Sequence, residues 1–367
     1  MLLSEIRPYT NYYKLFYLVF ILLLTFCKAI GLSGDDYTYI FVFIFSLFFW
    51  ALKIFNDRWT KREILVLLLF FTLSLVNFYI TKEETLLLTF FVFSGMKGIS
   101  IKKVFIIMLI TRITGFIAVV TSAYAGLIPN EVVLFWRNGA FIERYGLGFD
   151  HPNLLHSSLN LIIILFIYLY YEKYNLFYMI VLSIINIIFY LFSFSRTGLM
   201  SISILLVITY LMKKSSVFTD IIKKVTVYIQ FLLFGSTIIL SVFFADTTFV
   251  KKLDDLFTGR LYYAREQLKY MPTIFGRNFG NTDILFDNSY SMLISVYGIV
   301  VTTLFLLSYY WTAKKLIKLN NNGLVMLFLI ISITCFFESF MGNALMNFTI
   351  IIFAKNFFNE LEEIERE

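Results

Sequence analysis

Long apolar runs alternate with short polar links along the whole chain. Twelve runs approach the length that a helix needs to cross a bilayer, about 20 residues. They lie at approximately 15–34, 37–54, 63–80, 84–96, 103–125, 153–171, 175–194, 198–213, 225–245, 289–310, 323–338 and 343–358. The pattern predicts an all-α polytopic integral membrane protein with about 12 transmembrane helices.

Composition narrows the class of protein further. Hydrophobic residues make up 59% of the chain and charged residues only 15%, whereas soluble domains contain about 25% charged residues. These values exclude a cytosolic enzyme, a disordered protein and a secreted disulfide scaffold. The two cysteines, Cys27 and Cys335, both lie inside apolar runs and predict no disulfide framework. We therefore treat residues 1–367 as a single membrane domain.

Lysines and arginines are divided unequally between two alternating sets of links. One set, which includes both chain ends, carries 19 of the 31 cations, and the other carries 10. Because cytoplasmic links are enriched in Lys and Arg, both termini are predicted to be cytoplasmic. The other set contains two long loops, approximately 124–152 and 246–288, which are then extracellular. Loops on a rigid scaffold often carry function, so we expect the active site on the outer face.

The extracellular cations differ in kind from the cytoplasmic ones. The cytoplasmic set has 15 lysines and 4 arginines, whereas the extracellular set has 4 lysines and 6 arginines. The six are Arg137, Arg144, Arg196, Arg260, Arg265 and Arg277. A planar guanidinium binds two phosphate oxygens at once, so these residues suit a lipid-linked phosphate or diphosphate. The alternative is a set of surface arginines that pair with carboxylates or phospholipid headgroups, and Arg137 beside Trp136 also suits an interfacial anchor.

Arg196 lies between two apolar runs with almost no link, in the sequence Phe194-Ser195-Arg196-Thr197-Gly198. Its charge must therefore sit near the hydrocarbon boundary. A cation there is costly unless it has a partner, which makes Arg196 a candidate functional residue. The alternative is a structural arginine whose head reaches the interface.

The second extracellular loop contains a predicted helix over 258–269. At 100° per residue, four apolar side chains share one stripe, and Arg260 and Arg265 flank it. The stripe consists of Leu261, Ala264, Leu268 and Met271. Such a helix would lie on the outer face with both guanidinium groups toward the protein, or it would be a plain interfacial helix. Arg277 follows in a glycine-punctuated turn.

Other polar residues stand where the long loops meet the membrane again. His151 is placed at a helix start, because Pro152 suits the first helical position. Catalysis, contact with sugar or phosphate, and a structural hydrogen bond are all open for His151. His156, the only other histidine, is expected to pack or hydrogen-bond within the bundle. Asp287 and Asn288 enter the run that follows the second loop.

Several motifs of soluble chemistry are absent from the sequence. There is no P-loop, G-x-S-x-G, H-E-x-x-H or C-x-x-C, and no D-x-D outside the membrane. We expect no cofactor and no bound metal. The energy of a reaction should then come from the substrate, and a sugar diphosphate lipid carries its own leaving group.

Four segments in this order resemble a known family. They are Gly148-Phe149-Asp150-His151-Pro152-Asn153, Ser195-Arg196-Thr197-Gly198, Thr258-Gly259-Arg260 and Asp287-Asn288-Ser289-Tyr290. The order resembles the Wzy-type oligosaccharide repeat-unit polymerases of O-antigen, capsule and exopolysaccharide synthesis, in the O-antigen ligase superfamily. The resemblance spans roughly 140–300 by motif and the whole chain by topology. It implies a GT-C-like membrane glycosyltransferase in a bacterial cytoplasmic membrane.

The resemblance also implies roles for individual residues. In ligase-like relatives, an arginine between two spans and an arginine opening the outer helix hold the lipid diphosphate, and these positions match Arg196 and Arg260. The proposed base, often histidine, precedes an asparagine, and here that position is Asp287. Because aspartate replaces histidine, Asp287 would take the acceptor proton or only orient the hydroxyl, and His151 competes as the base. The expected substrate contacts are Arg137, Arg144, Asn153, Arg265, Arg277 and Asn288.

The implied reaction is a metal-independent, inverting polymerisation. A repeat-unit hydroxyl attacks the anomeric carbon of a glycan on undecaprenyl diphosphate, and the lipid diphosphate leaves. The expected partners are these two lipid-linked oligosaccharides, membrane lipid, a flippase and a chain-length regulator, with no nucleic acid. Two rivals are a glycan ligase of the same architecture and a flippase for the lipid-linked oligosaccharide. A flippase should gather charge near mid-membrane, where only Lys28 and Arg112 are candidates.

Overall fold

The computed structural model describes residues 12–32, 34, 36–137, 139–280, 282 and 284–362. Almost all of this part of the chain is helical. Its helices are α1 Tyr12–Ala29, α2 Tyr37–Asn56, α3 Lys61–Thr81, α4 Thr85–Gly95, α5 Ile101–Tyr124, α6 Pro152–Leu169, α7 Leu176–Ser193, α8 Arg196–Lys214, α9 Ser216–Ile238, α10 Thr248–Leu256, α11 Arg260–Leu268, α12 Ser289–Ser295, α13 Gly298–Lys318, α14 Asn322–Phe337 and α15 Thr349–Phe357. A π-helical extension, Ile239–Phe243, continues α9.

Eight helices of the described residues are long and apolar enough to cross a membrane: α1, α2, α3, α5, α6, α7, α8 and the extended α9. Two shorter helices, α4 and α14, are also apolar. The prediction of an all-α, multi-pass membrane protein is therefore confirmed. The remaining predicted runs contain α4, α13, α14 and α15, which are not among these eight helices. The count of 12 spans therefore stays a prediction.

One end of the bundle carries a β-hairpin that the sequence analysis missed. Strands β1 Val132–Arg137 and β2 Ala140–Tyr145 pair antiparallel within the first long loop. The signal in the sequence is Asn138-Gly139, a dipeptide typical of two-residue hairpin turns, between residues that favour strands. We call this end of the bundle the hairpin end.

The predicted run 289–310 is not one helix. It breaks after α12, and α13 begins at Gly298 with φ +86°. The break is fixed by backbone pairing with the preceding loop, since Val296 accepts from the Arg277 N–H and Ile299 N–H donates to Thr273. A Cβ on Gly276 would lie 1.9 Å from the Val296 oxygen, so only glycine permits this approach.

The last predicted run, 343–358, is also only partly helical, because α15 begins at Thr349. Residues 338–348 form an irregular segment whose backbone groups bond partly within the segment and partly to side chains of other helices. The Thr89 hydroxyl donates to Gly342, and Arg112 donates to the Leu345 carbonyl over 2.7 Å. Irregular backbone at membrane depth is tolerated where protein buries it, as here. Arg112 thus has a structural contact in the interior.

Helix α14 lies at the centre of the bundle. Nearly all of its side chains are buried, and it packs against α6, α8, α9 and α13. A helix that is apolar on every face must be surrounded in this way or face lipid. Its C-terminal end therefore delivers Phe337 and Glu338 into the middle of the hairpin end.

Candidate functional site

Helix α6 begins at the hairpin end with His151 as its N-cap residue, and Pro152 occupies the first turn, as predicted. Nδ1 of His151 accepts the Asn153 N–H over 3.1 Å. A neutral ring that accepts at Nδ1 carries its proton on Nε2. Burial lowers the pKa of His151, and the charge of Arg144 lowers it further, while Asp287 opposes both. His151 is therefore arranged as a neutral hydrogen-bond donor.

Arg144 joins the hairpin to the ends of α6 and α7. Its side chain is buried, and Nε donates to the Ser193 carbonyl over 2.8 Å while Nη2 donates to Asn153 Oδ1 over 2.6 Å. Ser193 in turn contacts His156, whose other ring nitrogen contacts Asn186. His156 is thus a buried bundle histidine, as expected. Arg144 and Asn153, each expected to contact substrate, are brought together in a structural network.

Helix α8 begins three residues beyond Ser193 and has no side-chain cap. Ser195 holds the cap position and is buried, yet its hydroxyl has no hydrogen-bond partner among the described residues. Arg196, half-buried at the first helical position, forms no side-chain hydrogen bond or ion pair within the same residues. A cation at a helix N-terminus opposes the helix dipole. Free helical N–H groups, a free hydroxyl and a free guanidinium together fit an anion.

Arg260 opens α11, as predicted, after Gly259 in the left-handed conformation. Its side chain is only 3% exposed. Nε donates to the Phe337 carbonyl over 3.0 Å, and Nη1 donates to the Thr258 hydroxyl. No described residue accepts a hydrogen bond from Nη2. The Arg260 guanidinium is therefore held through Nε and Nη1, and its Nη2 is available to a ligand.

Asp287 lies beside Arg260, with 3.9 Å between Oδ2 and Nη1. The Asp287 side chain is 35% exposed, so it remains accessible from the hairpin end. Asn288 follows as a fully buried cap of α12, accepting from the Tyr290 and Ser291 N–H groups and donating to the Phe336 carbonyl. Asn288 therefore ties α12 to α14, and this holds Asp287 at a fixed place.

Glu338 completes this cluster and was not singled out from the sequence. Burial raises the pKa of its carboxyl to about 7, although the charge of Arg260 lowers it and Asp287 raises it further. Its backbone carbonyl accepts the Ser289 hydroxyl, which also accepts the Met341 N–H. The available signal was a lone carboxylate between two apolar runs. Ser195 stands in one of the quoted segments, but an uncharged serine carries no signal of its own and the sequence assigns it no role.

Three other predicted arginines are not part of this cluster. Arg265 forms a two-point ion pair with Asp246 at 3.1 and 3.3 Å, in an exposed position. Arg277 donates to the Met271 carbonyl and lies 5.5 Å from the centre of the Tyr270 ring. The side chain of Arg137 lies outside what the structure describes.

The apolar stripe expected on α11 is confirmed in part. Leu261 and Ala264 are buried, but Met271 lies beyond the end of the helix and is exposed. The helix thus rests on the bundle through its first turns, which are those that place Arg260.

Arg260, Asp287, Glu338 and the neutral imidazole of His151 form one cluster of interacting groups, and Arg196 lies at the start of α8 at the same end of the bundle. Such a set is suited to hold an anionic leaving group and to move a proton. Among the described residues, no group of three His, Cys, Asp or Glu side chains converges as metal ligands.

Comparison with known proteins identified no relative of this chain. No family model matches the chain, and no curated protein or solved structure matches it either. The membrane fold and the chemistry of this cluster are therefore the features that bear on function.

Proposed function

We propose that the protein is a membrane glycosyltransferase that polymerises undecaprenyl-diphosphate-linked oligosaccharide repeat units. The observation that carries the proposal is the state of Arg196 and Arg260. Both guanidinium groups lie at the hairpin end, and neither is hydrogen-bonded to a carboxylate within the described residues. Holding two such cations near a membrane boundary is costly, and a lipid diphosphate offers the matching charge and geometry.

In the proposed reaction, Arg196 and the free N–H groups of α8 bind one phosphate, and Arg260 binds the other. The hydroxyl of an acceptor repeat unit forms a new bond to the anomeric carbon of the donor glycan. The bond from that carbon to the diphosphate oxygen breaks, and its electron pair leaves with the lipid diphosphate. Both arginines stabilise the charge that develops on this leaving group. In-line displacement inverts the anomeric centre.

Asp287 and His151 serve the acceptor in this proposal. Asp287, partly exposed beside Arg260, accepts a hydrogen bond from the attacking hydroxyl and orients it. His151 presents its Nε2–H as a donor, since Nδ1 is engaged by Asn153. Arg144 and Asn153 have a positioning role, because their hydrogen bond fixes the start of α6.

The finer points of architecture belong to the same proposal. We propose 12 crossings in a GT-C-like arrangement, within a bacterial cytoplasmic membrane and with both termini inside. The supporting features are the four further helices in the predicted runs, α4, α13, α14 and α15, and the excess of lysine on one set of links. The hairpin end then faces outward, toward lipid-linked repeat units delivered by a flippase.

The test is a reconstitution with defined substrate. Purified protein in detergent is mixed with lipid-linked repeat unit, without nucleotide sugar and with a chelator, and products are separated by size. A ladder spaced by one repeat unit is the expected result. Transfer onto a different added acceptor, without a ladder, would indicate a ligase instead. Translocation in liposomes without any transfer would indicate a flippase and overturn the proposal.

A further inference from the structure

Glu338 occupies a position that the proposed reaction has not yet used. It follows α14 directly, at the point where the Arg260 Nε contacts the preceding residue, Phe337. Its backbone carbonyl is held by the Ser289 hydroxyl at the start of α12. Two elements of the site, α11 and α12, therefore hold the backbone at Phe337 and Glu338.

The Glu338 carboxyl lies among polar groups from every element around it. These are Arg260 of α11, Asp287 before α12 and Ser157 of α6. The Cys335 thiol of α14 lies within range of the Glu338 charge, and Ser289 of α12 holds the Glu338 backbone carbonyl. The side chain is surrounded by protein but keeps partial access to solvent. A partly exposed carboxyl beside an arginine and a second carboxylate can exchange a proton with a bound hydroxyl and with water, as a general base must.

The other two candidates are less suited to accept a proton. His151 receives the Asn153 N–H at Nδ1, so its neutral ring has no free acceptor nitrogen. Asp287 lies beside the Arg260 guanidinium, which makes it suited to orient a hydroxyl. We propose that Glu338 is the general base of the site and accepts the proton of the acceptor hydroxyl, while Asp287 orients that hydroxyl. This inference rests on the proposed glycosyl transfer.

The proton balance of the step is complete. The acceptor O–H bond breaks as the new glycosidic C–O bond forms, and the proton moves to the Glu338 carboxylate. The anomeric C–O bond to phosphate breaks, and its electron pair leaves on the diphosphate. Glu338 then releases the proton to water through its exposed side. A base whose pKa is near the working pH performs both transfers efficiently.

The first experiment titrates Glu338 without any substrate. Infrared difference spectra of the whole protein in detergent are recorded against pH for the wild type and for Glu338→Gln. A carboxylic-acid band should titrate near pH 7 and vanish in Glu338→Gln. Removal of the neighbouring negative charge in Asp287→Asn should move the midpoint down, and Arg260→Gln should move it up. The control Glu172→Gln, at an exposed carboxylate paired with Lys213, should change nothing near pH 7.

The decisive result is a shift of the titration midpoint in opposite directions in Asp287→Asn and Arg260→Gln. A merely buried carboxyl elsewhere would not respond to both substitutions. A band that survives Glu338→Gln, or a midpoint that neither neighbour moves, would overturn the placement of Glu338 in the cluster.

The second experiment measures polymerisation against pH. Wild-type turnover should rise with pH through about 7, because the base must be ionised. Glu338→Gln should reduce turnover about 10²–10⁴-fold, and its residual rate should not rise with pH through about 7. Glu338→Asp, which keeps the carboxyl, should recover part of the rate. Size-exclusion profiles check that each variant is folded.

The outcomes separate this inference from the proposed function. A ladder from wild type with an unchanged Glu338→Gln profile would overturn the role of Glu338 alone. No ladder from wild type on confirmed substrate would overturn the polymerase proposal itself, and the role of Glu338 with it.

Discussion

Arg260 Nη1 and Asp287 Oδ2 face each other across 3.9 Å at the hairpin end. This separation exceeds that of a charge-assisted hydrogen bond, which is about 2.7–2.9 Å. The two groups therefore attract each other without closing the contact, and Arg260 is held instead by Thr258 and Phe337. A phosphate oxygen can approach the guanidinium without first breaking a tight ion pair.

Asp287→Asn tests the acceptor side of this pair. The amide keeps the size of the side chain but removes the charge that orients the attacking hydroxyl. We expect turnover to fall about 10²-fold, because the attacking hydroxyl is no longer oriented, with donor-lipid affinity retained because the arginines remain. Fluorescence binding of a labelled donor lipid and the ladder assay measure the two quantities.

Asp246→Asn is the matched control for this variant, because Asp246 is exposed and pairs only with Arg265 among the described residues. It should leave turnover near that of the wild type. Unchanged turnover in Asp287→Asn would remove Asp287 from the mechanism.

Arg196→Lys tests the diphosphate contact while the charge is kept. Lysine is a point charge and cannot bind two phosphate oxygens in the planar geometry of arginine. The ladder rate should fall about 10²–10³-fold. Arg265→Lys should be nearly silent, because that residue forms an exposed ion pair. Near-normal polymer from Arg196→Lys would contradict the diphosphate assignment.

Local patterns in the sequence were sufficient for much of this arrangement. Apolar runs predict membrane helices because the bilayer imposes both length and polarity. The start of α6 at Pro152 follows from the chemistry of helix termini, and the presence of a helix within 258–269 follows from helical periodicity. These features depend on neighbouring residues, and so one sequence reveals them.

What the sequence did not predict depends on contacts between distant segments. Glu338 joins the site only because the end of α14 contacts the start of α11. The two residues in that contact, Arg260 and Phe337, are 77 positions apart in the sequence. The break before Gly298 depends on backbone pairing with the loop around Gly276. No periodicity records such contacts, and a run of apolar residues therefore looked like one unbroken helix.

His151 gives a pH-dependent contribution to stability. Burial lowers its pKa in the folded state below about 6.5, the value of an unperturbed histidine. The unfolded chain then binds more protons than the folded one in acid, so stability is present above about pH 6.5 and declines as pH falls below it. Thermal unfolding measured between pH 5 and pH 8 should show the decline as the difference between the wild type and His151→Asn, because the raised pKa of Glu338 acts in the opposite direction and is common to both proteins.

The variant His151→Asn should flatten this decline, because asparagine also caps helices but does not titrate. His151→Ala should lower stability by about 0.5–2 kcal/mol at neutral pH through loss of the cap. An unchanged acid decline in His151→Asn would assign the effect to another group.

Gly276→Ala tests the close backbone approach that sets the course of the second loop. The new Cβ would lie 1.9 Å from the Val296 oxygen, at a residue with φ +99°, so backbone must move. We expect a destabilisation of several kcal/mol from steric overlap and strain, together with loss of turnover, because the same loop leads to Asp287. Gly235→Ala is the control, since a Cβ there meets nothing within 4 Å and φ is not positive. Alanine within helix α9 should be neutral or stabilise by up to about 1 kcal/mol. Equal melting temperatures for the two variants would show that the loop pairing does not hold the site together.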